Sequence, residues 1–298
     1  LDFSGHTGTV AVTVNTSNDY TVKGSSTAAN TFTMSTGLDA DDVITGGTST
    51  ADTLSATITG LTTATGKLNV SNVETLTFLT ATTAATIDAT SITGADAIRV
   101  TGDGTHGGDG SVATTFTNLA SGVTVGLGSG TSGSNDSYKS SVAIGLADSS
   151  GSSDSVTVDL GARSADNDIT GTLTGTGIET LNITDSTTSK NSTLDISGFN
   201  ASSVVITGGT SGGAELMGLG TLSSSTTSID ASAYDNTLTV AGASGVATTF
   251  KAKIGGSLTG SSSTDTFTVG TSAAHTAVAG TVVGGTGSDT LTIYAAAS

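Results

Sequence analysis

Asn72-Val73-Glu74-Thr75-Leu76-Thr77-Phe78 has a near copy in Gly177-Ile178-Glu179-Thr180-Leu181-Asn182-Ile183, and the pair decides how the chain folds. In both, large apolar residues alternate with Thr or Asn. That period of two puts apolar side chains on one face of a strand and polar ones on the other. Thr suits the hydrated face because it is both polar and β-branched. A second element follows each copy. Thr86-Ile87-Asp88-Ala89 leads to Ala97-Ile98-Arg99-Val100-Thr101-Gly102, and Thr193-Leu194-Asp195-Ile196 leads to Ser203-Val204-Val205-Ile206-Thr207-Gly208. A third copy of this second element, Ser228-Ile229-Asp230-Ala231, leads to Thr237-Leu238-Thr239-Val240-Ala241-Gly242. Within a copy, strand follows strand every ~10–20 residues, as in the rungs of a solenoid.

The expected fold is all-β: a parallel β-helix or β-solenoid of short irregular coils, each burying its apolar row on the next. Tandem β-sandwich domains would show similar short strands and stand as the alternative. Further strands are expected in Thr9–Asn15, Asp52–Ile58, Ser155–Leu160, Asn236–Gly242 and Asp265–Gly270, with Gly, Ser, Asn and Asp between them. Solenoid segments are expected over residues 1–105 and 151–298, with a Gly- and Ser-rich irregular segment over 106–150.

Composition narrows the function. The 298 residues include 42 Gly and no Pro, Cys or Trp, and only 11% are charged, against roughly 25% in an ordinary globular protein. The 35% apolar content falls in short β-branched runs, which argues against disorder. Net charge is -17, and the eight basic residues never gather beyond the pair Lys251 and Lys253, so a nucleic-acid partner is not expected. Without Cys there is no disulfide framework, and without an apolar run of ~18 residues no membrane insertion is expected. The chain opens at Leu1 with neither an initiator Met nor a secretory signal, which points to a fragment or a processed product.

The acids are 22 Asp against three Glu. Asp favours turns and also supplies oxygen to hard cations. Gly284-Gly285-Thr286-Gly287-Ser288-Asp289-Thr290-Leu291-Thr292 fits the nonapeptide G-G-x-G-x-D-x-U-x of calcium-binding β-rolls. Looser relatives are Gly46-Gly47-Thr48-Ser49-Thr50-Ala51-Asp52-Thr53-Leu54 and the stretch from Gly260 to Asp265-Thr266-Phe267. In such a turn, Gly permits positive φ and the Asp carboxylate meets oxygens from the turns above and below. Asp39, Asp41, Asp42 and Asp52 lie in near-tandem turns and form the best-supported Ca2+ cluster. Asp265 and Asp289 are weaker candidates because each needs a stacked neighbour. Asp103 and Asp109, in the loop Gly102–Gly110, are further possible ligands. Each of these turns also reads simply as a self-capping Asp turn.

Catalysis is not expected. Glu74 and Glu179 occupy the same place in an internal repeat, which suits structure better than chemistry, and no G-x-S-x-G elbow stands beside a usable His.

The Val-Glu-Thr-Leu and Ile-Glu-Thr-Leu strands, the Ile-Asp-Ala segments, the Gly-Gly turns and the Thr/Ser/Ala/Gly bias without Cys or Pro resemble a known group. They are similar to the surface-layer and RTX-type proteins exported by type I secretion in Gram-negative bacteria such as Caulobacter and Campylobacter. The resemblance implies a secreted, calcium-stabilised β-solenoid that assembles with its own copies into an extracellular lattice or filament at the cell surface. Cell-surface polysaccharide stands as a further candidate partner. It also implies that Asp52, Asp265 and Asp289 are calcium ligands. Long nonapeptide arrays are absent from this sequence. A binding module, the stalk or ligand-binding part of a large secreted adhesin, is the alternative.

Overall fold

Period-two alternation builds the molecule strand by strand. In the computed structural model, Asn30–Met34 alternates buried and exposed residues without a break, and so does Val10–Val14. The structure describes all residues except 16–17, 59–60, 63–64, 81–82, 103–112, 129–137, 162–167, 188–190, 210–214, 271–279 and 295–298. Among the described residues the only helical element is a 3-10 turn, Ala89–Ser91. No helix there is long and apolar enough to cross a membrane.

The strands coil as a β-solenoid. A 13-stranded sheet runs from Val10–Val14 to Thr290–Ile293, and all its pairings are parallel. Two further parallel sheets, one of four strands and one of nine, complete the coil. Both reach the coil that holds the 3-10 turn. Ala85–Asp88 opens the nine-stranded sheet just before it, and Ile92–Thr93 closes the four-stranded sheet just after it. Ala113–Leu119, Thr124–Gly128 and Tyr138–Leu146 lie in the stretch read as irregular and extend the stack.

Coil length is 20 residues from Val10 to Asn30 and is then regular for three steps. Thr31 pairs with Thr53, Thr53 with Thr75, and Thr75 with Ala97, a repeat of 22 residues. Later coils are less even, with separations of 25 residues at Asp154 and Glu179 and 23 at Thr184 and Thr207.

The core is a set of ladders running along the axis. Phe32, Leu54, Leu76, Ile98, Val125 and Val158 stack in register and are at most 1% exposed. Beside them Met34, Ala56, Phe78 and Val100 alternate large and small side chains, which keeps the packing dense. Near the far end Phe250 and Phe267 stack with centroids 4.9 Å apart and planes 5° from parallel. In Thr290–Ile293, the last strand of the main sheet in sequence order, all four residues are exposed.

Candidate metal centre

The acid before a strand of the main sheet reaches back one coil. Glu74 Oε2 accepts the N–H of Asp52 at 2.8 Å. Asp52 Oδ1 accepts the backbone N–H and the side-chain amide of Asn30 at 2.7 and 3.0 Å, while its Oδ2 accepts the Gly47 N–H at 2.7 Å. Asn30 in turn accepts the Ser25 N–H at 2.7 Å. The second Glu repeats the first, since Glu179 Oε2 accepts the Asp154 N–H at 2.8 Å. The repeat of the sequence is thus a repeat of one hydrogen bond. At the strand entrance the chain turns, and its N–H groups need partners there.

The nonapeptide copy belongs to the same system. Asp289 Oδ1 accepts the Asp265 N–H at 2.9 Å from one coil, 24 residues, away. Asp265 Oδ1 and Oδ2 accept the N–H groups of Thr248 and Ser261, each at 2.7 Å. The structure therefore brings Asp265 and Asp289 onto adjacent coils. Asp52 and Asp265 are fully buried and use both carboxylate oxygens on backbone donors, whereas Asp289 stands exposed.

The glycines of these turns answer to packing as much as to dihedral freedom. Neither Gly46 nor Gly47 has a positive φ. A Cβ on Gly46 would lie 1.8 Å from the Asn72 carbonyl oxygen of the next coil. Gly285 does take φ +94°, and a Cβ there would also lie 1.9 Å from the Ser261 carbonyl oxygen.

The four acids read as one tandem cluster divide between two places. Asp52 belongs to the buried caps. Asp42 is 1% exposed, and its two oxygens accept the N–H groups of Tyr20 and Asp39 at 2.7 and 3.1 Å. Burial pushes its pKa above the usual carboxylate value, and the charges of Asp39 and Asp19 add to that. Asp39 and Asp41 stand at the surface and are joined by Asp19, with one ligand atom of each within 4.8 Å of the others. Asp39 also accepts the Asp41 N–H at 3.0 Å.

Asp19 was missed by the sequence reading because it sits outside the Gly-rich turns. The signal for it was the coil period, since its neighbour Tyr20 meets Asp42 across 22 residues. Three hard carboxylate oxygen donors converging at a surface turn fit the calcium class of ion. Asp103 and Asp109 lie outside the described residues.

A further set of Asp residues caps turns locally. Asp88, Asp195 and Asp230 each accept both the N–H and the hydroxyl of the residue two positions on, at 2.6–3.0 Å. The side-chain hydroxyl bond, followed by further hydrogen bonds, holds the Asp88 and Asp195 carboxyls below their usual range. Comparison of the chain with family models, with curated proteins and with solved structures returns no match.

Proposed function

We propose that this chain is a structural protein of the cell exterior that self-assembles into a lattice or filament stabilised by calcium. The observation that supports this most is the exposed apolar row on the last described coil. Val283, Leu291, Ile293 and Tyr294 are 45–55% exposed on the last coil, where Phe267 pairs with Leu291 and Val269 with Ile293 in the same inward rows that form the core. An exposed apolar row in register with the core ladders favours the stacking of a further β coil on it. Calcium at Asp19, Asp39 and Asp41 would offset part of the repulsion within a chain of net charge -17.

Size-exclusion chromatography and electron microscopy, with calcium and with EGTA, test the reading. Ordered sheets or fibres in calcium, dispersed by EGTA, are expected. A folded monomer in both solutions overturns it.

An adhesin module is the second reading. A groove of about 230 Å³ crosses four coils beside Phe116, Ile144, Gly145, Gly175 and Gly198. On that reading the protein stays monomeric in calcium and is retained on immobilised cell-surface glycan.

A further inference from the structure

A separate group of oxygens lies inside the stack, beside the turn at Gly208 and Gly209. Asp185, Tyr234 and Asn236 are at most 3% exposed there, and Glu215 is 9% exposed. The Tyr234 hydroxyl donates to Asp185 Oδ2 at 3.0 Å. The other Asp185 oxygen is already engaged by the N–H and hydroxyl of Thr187, at 3.0 and 2.6 Å. Asn236 packs beside Tyr234 with its amide nitrogen towards Gly209, and its amide oxygen receives no hydrogen bond. Gly209 allows this close packing: a Cβ on it would lie 2.8 Å from Asn236 Nδ2 and 3.0 Å from the Tyr234 ring.

Glu215 comes alongside Asn236 through the ladder. Leu216 pairs with Thr237, and the Thr237 N–H bonds the Glu215 carbonyl at 3.1 Å.

Two acceptors in this group have no partner. Glu215 Oε2 and Asn236 Oδ1 are both shut off from solvent and receive no hydrogen bond. Buried acceptors are normally satisfied, and a buried carboxylate oxygen is the costliest to leave alone. Among the described residues, the Tyr234 hydroxyl and the Thr237 N–H are already committed. The Tyr234 proton goes to Asp185. A second carboxylate thus stands behind Tyr234, so the local deficit is of positive charge as well as of donors. Every open atom is a hard oxygen, the preference of calcium-class ions over softer metals.

We propose that Glu215 Oε2 and Asn236 Oδ1 are protein ligands of an oxygen-seeking cation of the calcium class, bound beside Tyr234 within the coil stack. The site is independent of the surface carboxylates at Asp19, Asp39 and Asp41.

Terbium(III) is a suitable probe. With no Trp and only four Tyr in the chain, terbium emission excited through tyrosine reports an ion close to a particular ring. The full chain should give saturable emission that calcium competes away. Tyr234→Phe should remove one component of it. Glu215→Gln, close to isosteric, should weaken that component's affinity about tenfold or more. Asn236→Asp, which adds a charged ligand, should strengthen it. Asp39→Asn should leave it unchanged, which separates this site from the cluster beside Tyr20. Far-ultraviolet circular dichroism checks that each variant is folded. Emission that Tyr234→Phe does not reduce, or a Tyr234-dependent component indifferent to both Glu215→Gln and Asn236→Asp, overturns the proposal.

Discussion

Asp52 is a charged side chain with no exposed surface, and three N–H groups hold it there. Removing a carboxylate from water costs several kcal/mol, and hydrogen bonds to the charged oxygens offset that cost. Asp52→Ala would leave buried donors on Asn30 and Gly47 unpaired, at about 1–3 kcal/mol for such a group. A loss of about 3 kcal/mol is expected, with a smaller loss for Asp52→Asn, which keeps one acceptor. Chemical denaturation in calcium and in EGTA distinguishes a cap from a ligand. A cap predicts the same loss in both solutions. A ligand predicts that EGTA destabilises the wild type more than it does the Asp52→Ala protein. The sequence could pick out Asp52, because Gly-Gly followed by Asp-Thr-Leu is a local pattern. It could not assign the role, because the donor at Asn30 arrives from 22 residues away.

Single strands were the most legible elements, since period two is visible within six residues. The strands expected at Thr9–Asn15, Asp52–Ile58, Glu74–Thr80 and Ser155–Leu160 appear as Val10–Val14, Thr53–Ile58, Thr75–Thr80 and Ser155–Leu160. Their assignment to faces was less legible. Ala85–Asp88 and Ser192–Asp195 lie in the nine-stranded sheet, yet the third copy of the same motif begins Ser228–Tyr234, a strand of the main sheet. The Asp turn that defines the motif is made within three residues, whereas the face depends on how many residues the preceding coils consume. Glycines show the same divide between local and stacked causes. Gly122 takes φ +85° with open space where a Cβ would go, so Gly122→Ala should cost about 1–2 kcal/mol of backbone strain. Gly46 has no such φ but faces a carbonyl of the next coil, so Gly46→Ala should cost about 3 kcal/mol by overpacking. Thermal unfolding of the two variants should rank Gly46→Ala as the worse. The reverse order would mean that turn geometry, not coil-to-coil contact, selects glycine in these turns.

Over the whole molecule, the net charge of -17 makes stability a function of pH with two opposing parts. The carboxyls of Asp88 and Asp195 titrate below their usual range because Thr90 and Ser197 hydroxyls and N–H groups bond the charged form. A depressed folded value means stability that is present above the ordinary carboxylate range and lost as pH falls below about 4. Asp159 and Asp42 go the other way. Burial disfavours their charge, and the nearby carboxylates of Asp185 for Asp159, and of Asp39 and Asp19 for Asp42, reinforce it. A raised folded value means that the native state binds the proton more readily, so stability grows as pH falls through that value towards the unfolded one. Repulsion among the many Asp residues weakens over the same interval. The melting temperature in EGTA should therefore rise from pH 7 to a maximum between about pH 4 and 5, then fall steeply. Asp159→Asn should flatten the rise while leaving the acid-side fall in place, because it removes one raised group and none of the turn caps. A melting temperature that declines steadily from pH 7 downwards would mean that the hydrogen-bonded caps outweigh both burial and charge repulsion throughout the stack.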